Sequence, residues 1–102
     1  MNFTIRIEPE AGEDIQEGID WYNEQQTGLG KEFHIAVKAR FKKLQTNPFY
    51  QVRYENVRCL PLKKYPYMNH FTIHEERKMV VVHAVLNTSR DPKSWKVRKI
   101  ST

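Results

Sequence analysis

The 102-residue sequence predicts an α+β fold in the order β-α-α-β-β-β, with a helical hairpin packed on one face of a small, mainly antiparallel sheet. Three observations support this prediction. Residues 3–8 alternate between apolar and polar types, which is typical of a strand buried on one face. Residues 10–46 carry apolar residues at helical spacing, broken once by a link that contains glycine. After residue 50 the apolar spacing returns to two.

The first strand ends at Pro9, and a helix is predicted from Glu10 onward. Acidic residues in its first turn complement the exposed amide dipoles there. Its apolar stripe consists of residues at positions i, i+4 and i+7, namely Ile15, Ile19 and Tyr22. The helix is expected to end in the segment 27–30, because a glycine readily adopts the left-handed conformation found at helix C-termini.

The second helix has the longest apolar stripe in the sequence. This stripe consists of Leu29, Phe33, Ala36, Val37, Phe41 and Leu44. The basic residues expected to project into solvent are Lys38, Arg40, Lys42 and Lys43. The helix should end at Asn47-Pro48, because a residue before proline is disfavoured in the helical region.

Three strands are predicted beyond residue 50, near residues 57–60, 70–74 and 79–86. The last strand is apolar on both faces and should be central in the sheet. The strand residues expected to face the helices are Val57, Cys59, Val80, Val82, Ala84 and Leu86. The opposite sheet face is then expected to be uncovered and to carry Arg58, His70, His74, His83 and Asn87.

Composition indicates one domain over residues 1–102, with 39% hydrophobic residues to form its core. The longest apolar run, residues 79–82, is far shorter than the roughly 20 residues of a membrane-spanning helix, so no membrane partner is expected. Cys59 is the only cysteine, which excludes an internal disulfide and favours a cytoplasmic location. We expect it to be a small core residue.

His70 and His74 share one strand face with Thr72 between them, which raises the possibility of a metal site. Such a site needs three or four protein ligands, and no cysteine or acidic pattern accompanies these two. We therefore expect both histidines to be surface residues, and we expect neither a metal nor a cofactor.

Charge is segregated along the chain. Residues 1–30 hold one basic and seven acidic residues, a net charge of −6, whereas residues 31–102 hold sixteen basic and five acidic residues, a net charge of +11. A basic surface on a small domain attracts anionic partners, so nucleic acid or an acidic protein is the expected partner class. The alternative is that these side chains only keep the protein soluble.

Four segments follow one another at characteristic spacing: Ile19-Asp20-Trp21-Tyr22-Asn23, Gly28-Leu29-Gly30-Lys31-Glu32-Phe33, Val57-Arg58-Cys59-Leu60-Pro61-Leu62-Lys63-Lys64-Tyr65-Pro66-Tyr67 and Thr88-Ser89-Arg90-Asp91-Pro92-Lys93-Ser94-Trp95. Together they resemble the RelE/ParE superfamily of small bacterial toxins over nearly the whole chain. The ending with Arg90-Asp91-Pro92 and Trp95 is more similar to the ParE branch than to the RelE branch.

The resemblance implies the toxin of a type II toxin–antitoxin pair of the plasmid-stabilisation kind, which inhibits growth and is neutralised by a cognate antitoxin, with a higher-order assembly of the two as a further expectation. ParE-like members inhibit DNA gyrase by binding, whereas RelE-like members cut messenger RNA on the ribosome. A ParE-like toxin is the preferred hypothesis. The alternatives are a ribosome-dependent endoribonuclease and a non-toxic nucleic-acid-binding module.

Under the ribonuclease alternative, the residues proposed for acid–base and phosphate-binding roles are Arg58, His83 and Arg90. This set is incomplete, because Trp95 occupies the place of the tyrosine in RelE-like proteins and its indole cannot act as an acid. Under the binding hypothesis, the target-binding residues are Lys63, Lys64, Arg90, Trp95 and Arg98.

Two aromatic features are open to more than one interpretation. Tyr65 and Tyr67, beside Lys63 and Lys64, either stack on nucleic-acid bases or cover the sheet edge. Trp21 is expected to serve packing rather than recognition.

Overall fold

The computed structural model describes residues 2–89. In this part of the chain the elements are β1 (Thr4–Ile7), α1 (Pro9–Gln25), α2 (Leu29–Thr46), β2 (Val52–Tyr54), β3 (Val57–Pro61), β4 (Tyr67–His74), a 3-10 turn (Glu75–Arg77) and β5 (Met79–Asn87). The predicted order is confirmed, with the short strand β2 added. Neither described helix has the length and apolar character that crossing a membrane requires. Arg90, Trp95 and Arg98 lie outside the described residues.

The five strands form one sheet in the order β1-β5-β4-β3-β2. β1 pairs with β5 in parallel, and the other neighbours are antiparallel. β5 therefore lies between two partners, as its two apolar faces predict. The sequence did not indicate β2, because its three residues are too few to show an alternating pattern.

The main core lies between the helical hairpin and one face of the sheet. Phe33 of α2 is fully buried there and packs against three tyrosines. Its ring centroid lies 5.2 Å from that of Tyr22, 5.4 Å from that of Tyr65 and 5.0 Å from that of Tyr67. Such aromatic pairs add to the free energy gained from burying their area. This group joins α1, α2, the loop between β3 and β4, and the first residue of β4.

The two helices approach each other closely at two glycines. A Cβ atom on Gly18 would lie 2.5 Å from the Phe33 ring, and one on Gly30 would lie 2.5 Å from the carbonyl oxygen of Ile19. Asn23 reinforces the contact, because its Oδ1 accepts a hydrogen bond from the Gly30 amide at 2.8 Å. The link itself turns at Gly28, whose φ of 97° lies in the left-handed region. The predicted glycine link is confirmed.

The side-chain orientation predicted for β3 is wrong. Arg58 lies opposite the core residue Phe71 of β4, and Cys59 lies opposite His70. Directly paired residues share a sheet face, so Arg58 lies on the helix side and Cys59 on the far side. Val57, paired with Tyr54, also lies on the far side. Cys59 and Leu60 are both buried, so alternation alone could not assign the faces.

The orientation predicted for β5 is correct only in its first half. Val80 and Val82 belong to the helix-side core. Ala84 and Leu86 instead join an apolar cluster on the far side. The reason is a β-bulge: His70 pairs with Ala84 and Phe71 with Val82, which leaves His83 as an extra residue in β5.

The bulge also moves the end of β5. Asn87 pairs with Tyr67, which packs on the helix side, so its predicted place on the far face is wrong. The far face is not uncovered either, because its residues Cys59, Met68, Ala84 and Leu86 are buried. Burying apolar side chains is favourable because it removes their surface from water. This part of the far face is therefore apolar and covered, and not bare and cationic.

Candidate binding site

An open groove lies between α2 and the loop that joins β3 to β4. It encloses about 400 Å³ and is lined by Glu32, Ile35, Ala36, Ala39, Arg40, Lys43, Lys63, Lys64 and Tyr65. The helical residues recur at intervals of three and one, so they form a single face of α2. The two lysines predicted for target binding, Lys63 and Lys64, lie on the opposite wall.

Small side chains and an anchored loop create this groove. Ala36 and Ala39 keep the α2 surface low, and Ile35, 58% exposed, adds apolar area to the same floor. On the other wall, Tyr65 packs edge-on against Tyr22 and Phe33, with its ring centroid 5.1 and 5.4 Å from theirs. The loop is therefore fixed by its aromatic residue and leaves its lysines in solvent.

The rim of the groove is cationic. Among the described lining residues, the four cations Arg40, Lys43, Lys63 and Lys64 are accompanied by one carboxylate, that of Glu32. Arg40 also joins the two walls, because its Nε donates a hydrogen bond to the Pro61 carbonyl oxygen at 2.8 Å. An apolar floor with a positive rim suits a partner that has an apolar stripe flanked by acids.

The two interpretations of Tyr65 and Tyr67 are resolved by their contacts. Both rings pack against Phe33 in the main core. This contact favours a packing role over base stacking, but the rings pack in the core rather than over a sheet edge, because β4, which begins at Tyr67, lies between β5 and β3. Trp21 only partly fits its expected packing role: its ring lies 4.9 Å from the Tyr22 ring, but the side chain is 51% exposed.

The proposed ribonuclease residues are not brought together. The Arg58 guanidinium lies on the helix side, where Nη1 donates to the Tyr50 carbonyl oxygen at 2.8 Å and the group stacks over Phe49. His83 lies on the far face, where its Nε2 and the Thr72 hydroxyl oxygen are 2.9 Å apart. The sheet separates these two side chains. The third member of the set, Arg90, lies outside the described residues.

His70 is a buried residue, contrary to the surface position predicted for it. Its Nδ1 lies 3.0 Å from the Tyr54 hydroxyl oxygen and 3.5 Å from the Cys59 sulfur. Burial raises the pKa of the Cys59 thiol to about 11, against a small opposing effect of Arg53. The thiol is therefore protonated at neutral pH and serves as a core residue, as predicted.

Within residues 2–89, no three histidine, cysteine or carboxylate side chains form a group that could hold a metal ion. His74, the other histidine considered for a metal, is half-buried and bonds to Thr72.

The groove includes residues that the sequence analysis did not single out, above all Ile35 and Ala39. They lie beside the buried stripe of α2 rather than within it, so a helical apolar pattern does not distinguish them. The sequence signal that could have indicated the groove is an isoleucine outside the apolar stripe of α2, followed in the same helix by four basic residues.

Comparisons with known proteins give structural matches only. No protein-family model matches the sequence, and no curated protein matches it. A chain of the chromosomal ParDE toxin–antitoxin system from P. aeruginosa has a TM-score of 0.75 at 16% identity, over 83% of this chain and 95% of that chain. A chain of the RelBE2 toxin–antitoxin complex from Mycobacterium tuberculosis has a TM-score of 0.60 at 16% identity, over 85% of this chain and 99% of that one. The isolated RelE toxin of E. coli has a TM-score of 0.60 at 13% identity, over 95% and 96%.

These matches extend over most of both chains in every case, so the chain has the RelE/ParE fold. Since the identities are low, the similarity concerns the fold, and function has to be argued from the surface.

Proposed function

We propose that this protein is the toxin component of a type II toxin–antitoxin pair, a ParE-like protein that inhibits growth by binding a cellular target such as DNA gyrase. The observation that carries the proposal is the groove beside α2, with an apolar floor and four cations on its rim. The likeness in fold to chains of ParDE and RelBE2 toxin–antitoxin systems supports it. A cognate antitoxin is the partner proposed for this groove.

The groove suits a protein segment better than a nucleic acid. Its floor is made by Ile35, Ala36 and Ala39, whose apolar surface a phosphate backbone cannot cover favourably. An amphipathic helix inserts apolar anchors into such a floor, and acids beside them meet the cationic rim. We therefore propose an acidic, amphipathic antitoxin segment that also masks Lys63 and Lys64 from the target.

Binding is favoured over RNA cleavage for two reasons. Arg58 and His83, two of the three residues needed for the ribonuclease, lie on opposite sides of the sheet. In addition, the TM-score for the ParDE chain, 0.75, exceeds the 0.60 for the RelBE2 and RelE chains. RNA cleavage needs an acid and a base positioned at the same phosphate, so the separation of Arg58 and His83 argues against it.

The rest of the proposed target-binding surface follows from the sequence. Lys63 and Lys64 of the groove are proposed to act together with Arg90, Trp95 and Arg98. A cytoplasmic location, a role in plasmid stabilisation and a higher-order assembly with the antitoxin complete the proposal.

Growth measurements test the antitoxin proposal. The chain is induced alone or together with its proposed antitoxin, to be sought as the product of a short reading frame adjacent to its gene, and growth should stop in the first case and resume in the second. Ile35→Asp should keep the toxicity but lose the rescue, because it places a charge in the apolar floor. Val52→Asp is the matched control, since Val52 is also exposed but lies on β2. Normal growth of cells that express the soluble chain alone would refute the toxin proposal.

The mode of action is tested with purified components. The protein without its antitoxin should inhibit supercoiling by gyrase and leave ribosome-bound messenger RNA intact. Arg58→Ala and His83→Ala should leave toxicity largely unchanged, whereas Arg90→Ala should reduce it. Codon-linked cuts in the messenger would instead establish the ribonuclease alternative.

A further inference from the structure

A second cavity, of about 180 Å³, lies on the far face of the sheet, away from the groove. It is lined by Arg6, Glu8, His74, Arg77, Met79, Val81 and His83. The parallel register of β1 places Arg6 beside Val81 of β5. On its other side Val81 lies opposite Thr72 of β4, and Met79 lies opposite His74. Side chains of three strands and of the 3-10 turn therefore converge on one place.

One hydroxyl group connects the two histidines of this cavity. The Thr72 oxygen lies 3.2 Å from His74 Nε2 and 2.9 Å from His83 Nε2. A hydroxyl has one proton, so when it donates to one imidazole the other imidazole donates to it. His74 can thus donate to Thr72 while Thr72 donates to His83.

The charges of the cavity favour an anion. Arg6 and Arg77 are exposed, and within residues 2–89 neither guanidinium makes a hydrogen bond or an ion pair. Glu8 is the only carboxylate among the described lining residues, so the lining is positive even with both histidines neutral. Protonation of His83 increases this positive charge.

Neighbouring groups set the protonation of His83. Burial lowers the pKa of His83, Glu8 between β1 and α1 acts in the opposite direction, and His74 of β4 lowers it further. Arg6 from β1 and Arg77 from the 3-10 turn also face this cavity. A bound anion would favour the protonated form of His83, so anion binding and proton uptake by this ring are linked.

We propose that this cavity binds a phosphate group, with Arg6 and Arg77 holding its oxygens and His74 donating an N–H. Guanidinium groups match phosphate geometry through paired N–H donors. The volume lies below the roughly 300 Å³ at which small-molecule sites begin, so the cavity accommodates one charged group rather than a whole nucleotide. No bond is formed or broken in this site, and it does not depend on the groove beside α2.

NMR titration of the full chain with inorganic phosphate tests the proposal. The ring signals of His74 and His83 and the Arg6 side-chain signal should shift and saturate. Inorganic sulfate, whose charge is constant near neutral pH, should bind about tenfold more tightly at about pH 6 than at about pH 8, because a protonated His83 adds a positive charge that attracts the anion.

Variants separate the site from general charge. Arg6→Gln combined with Arg77→Gln should abolish the saturable shifts. Arg53→Gln removes an exposed arginine of β2, at the other edge of the sheet, and should leave the shifts unchanged. Because all three arginines are exposed, these variants are expected to fold, which their melting curves verify.

The source of the phosphate group follows from a comparison of ligands. Equal affinities for inorganic phosphate and a nucleoside monophosphate support a site for small phosphorylated molecules, and at least tenfold tighter binding of a short RNA supports RNA as the source. Linear, non-saturating shifts, or equal shifts in the double variant and the wild type, would overturn the proposal. Neither result depends on toxicity, so this test and that of the proposed function fail separately.

Discussion

At the residue scale, Asn69 is the least expected member of the core. Its side chain is fully buried on β4, opposite Val85, and among the described residues neither its Oδ1 nor its Nδ2 has a hydrogen-bond partner. A buried polar group without a partner costs about 1–3 kcal/mol. Asn69→Val removes this cost and adds a residue suited to strands, so we expect the free energy of unfolding to rise by about 1–2 kcal/mol.

Urea denaturation measures this effect. Asn69→Asp is the opposite test, because a carboxylate needs more solvation than an amide, and it should destabilise the fold strongly. Asn2→Leu, at an exposed position, should change the stability little. If Asn69→Val unfolded at lower urea than the wild type, the amide would have a partner such as a buried water, and our interpretation would be wrong.

Cys59 gives a second residue-scale prediction, on alkaline stability. Burial raises the pKa of this thiol in the folded protein to about 11, above its ordinary value of 9.0. Between these values the unfolded chain has lost the thiol proton that the folded chain keeps, so the unfolded state binds fewer protons. The stability contributed by this thiol is therefore complete below about pH 9 and is lost as the pH rises toward about 11.

Cys59→Ala lacks this titration and is the matched control. From pH 8 to pH 10.5 the wild type should lose more stability than the variant, as measured by urea denaturation. The comparison of the two proteins cancels the alkaline titration of all other groups. Under native conditions at neutral pH, a thiol reagent should modify Cys59 at least about tenfold more slowly than in urea. Equal rates in the two solvents would mean that the thiol is accessible.

At the element scale, the helical hairpin depends on the close contact at Gly30. Alanine normally stabilises a helix over glycine by about 0.5–1 kcal/mol. At Gly30 its Cβ would lie 2.5 Å from the carbonyl oxygen of Ile19, a backbone atom that cannot turn away. We expect Gly30→Ala to destabilise the protein by about 1–3 kcal/mol, because α1 and α2 must separate.

Gly12→Ala is a control within the same hairpin. Gly12 lies inside α1, and a Cβ there would meet nothing within 4 Å. This variant should be more stable than the wild type by about 0.5–1 kcal/mol in thermal or urea denaturation. If both variants were stabilised, the two helices would not be packed as closely at Gly30 as described.

The sequence predicted the helices better than it predicted the faces of the strands. Helices follow from one-dimensional spacing, so α2 was found almost to its last residue, with Phe33, Val37 and Leu44 buried as expected. Strand faces depend on pairing, and the extra residue His83 reverses the pattern of β5 without changing its composition. The groove combines α2 with a loop some twenty residues further along the chain, so of its residues Lys63 and Lys64 were expected and Ile35 was not.

At the scale of the whole molecule, the charge segregation of the sequence becomes a spatial one. The acids of residues 10–24 lie on α1, whereas the solvent side of α2 and the loop after β3 carry lysines and arginines. The groove lies on the basic side of the hairpin, and the second cavity, proposed to bind phosphate, lies on the far face of the sheet. An acidic protein segment and a phosphate group can therefore be bound at the same time without competing for the same cations.

The last prediction concerns the contribution of the basic groove rim to antitoxin binding. Lys63→Glu combined with Lys64→Glu reverses two charges on the rim of the groove, and we expect binding of the proposed antitoxin to weaken by about tenfold or more. Raising the salt from about 0.1 to about 0.5 M should slow wild-type association, because the screening length is about 10 Å at the lower concentration. The double variant should respond much less to salt. Lys38→Glu combined with Lys42→Glu changes the net charge equally but on the exposed side of α2, away from the groove, so an equal loss of affinity there would mean that net charge, rather than the groove, recruits the partner.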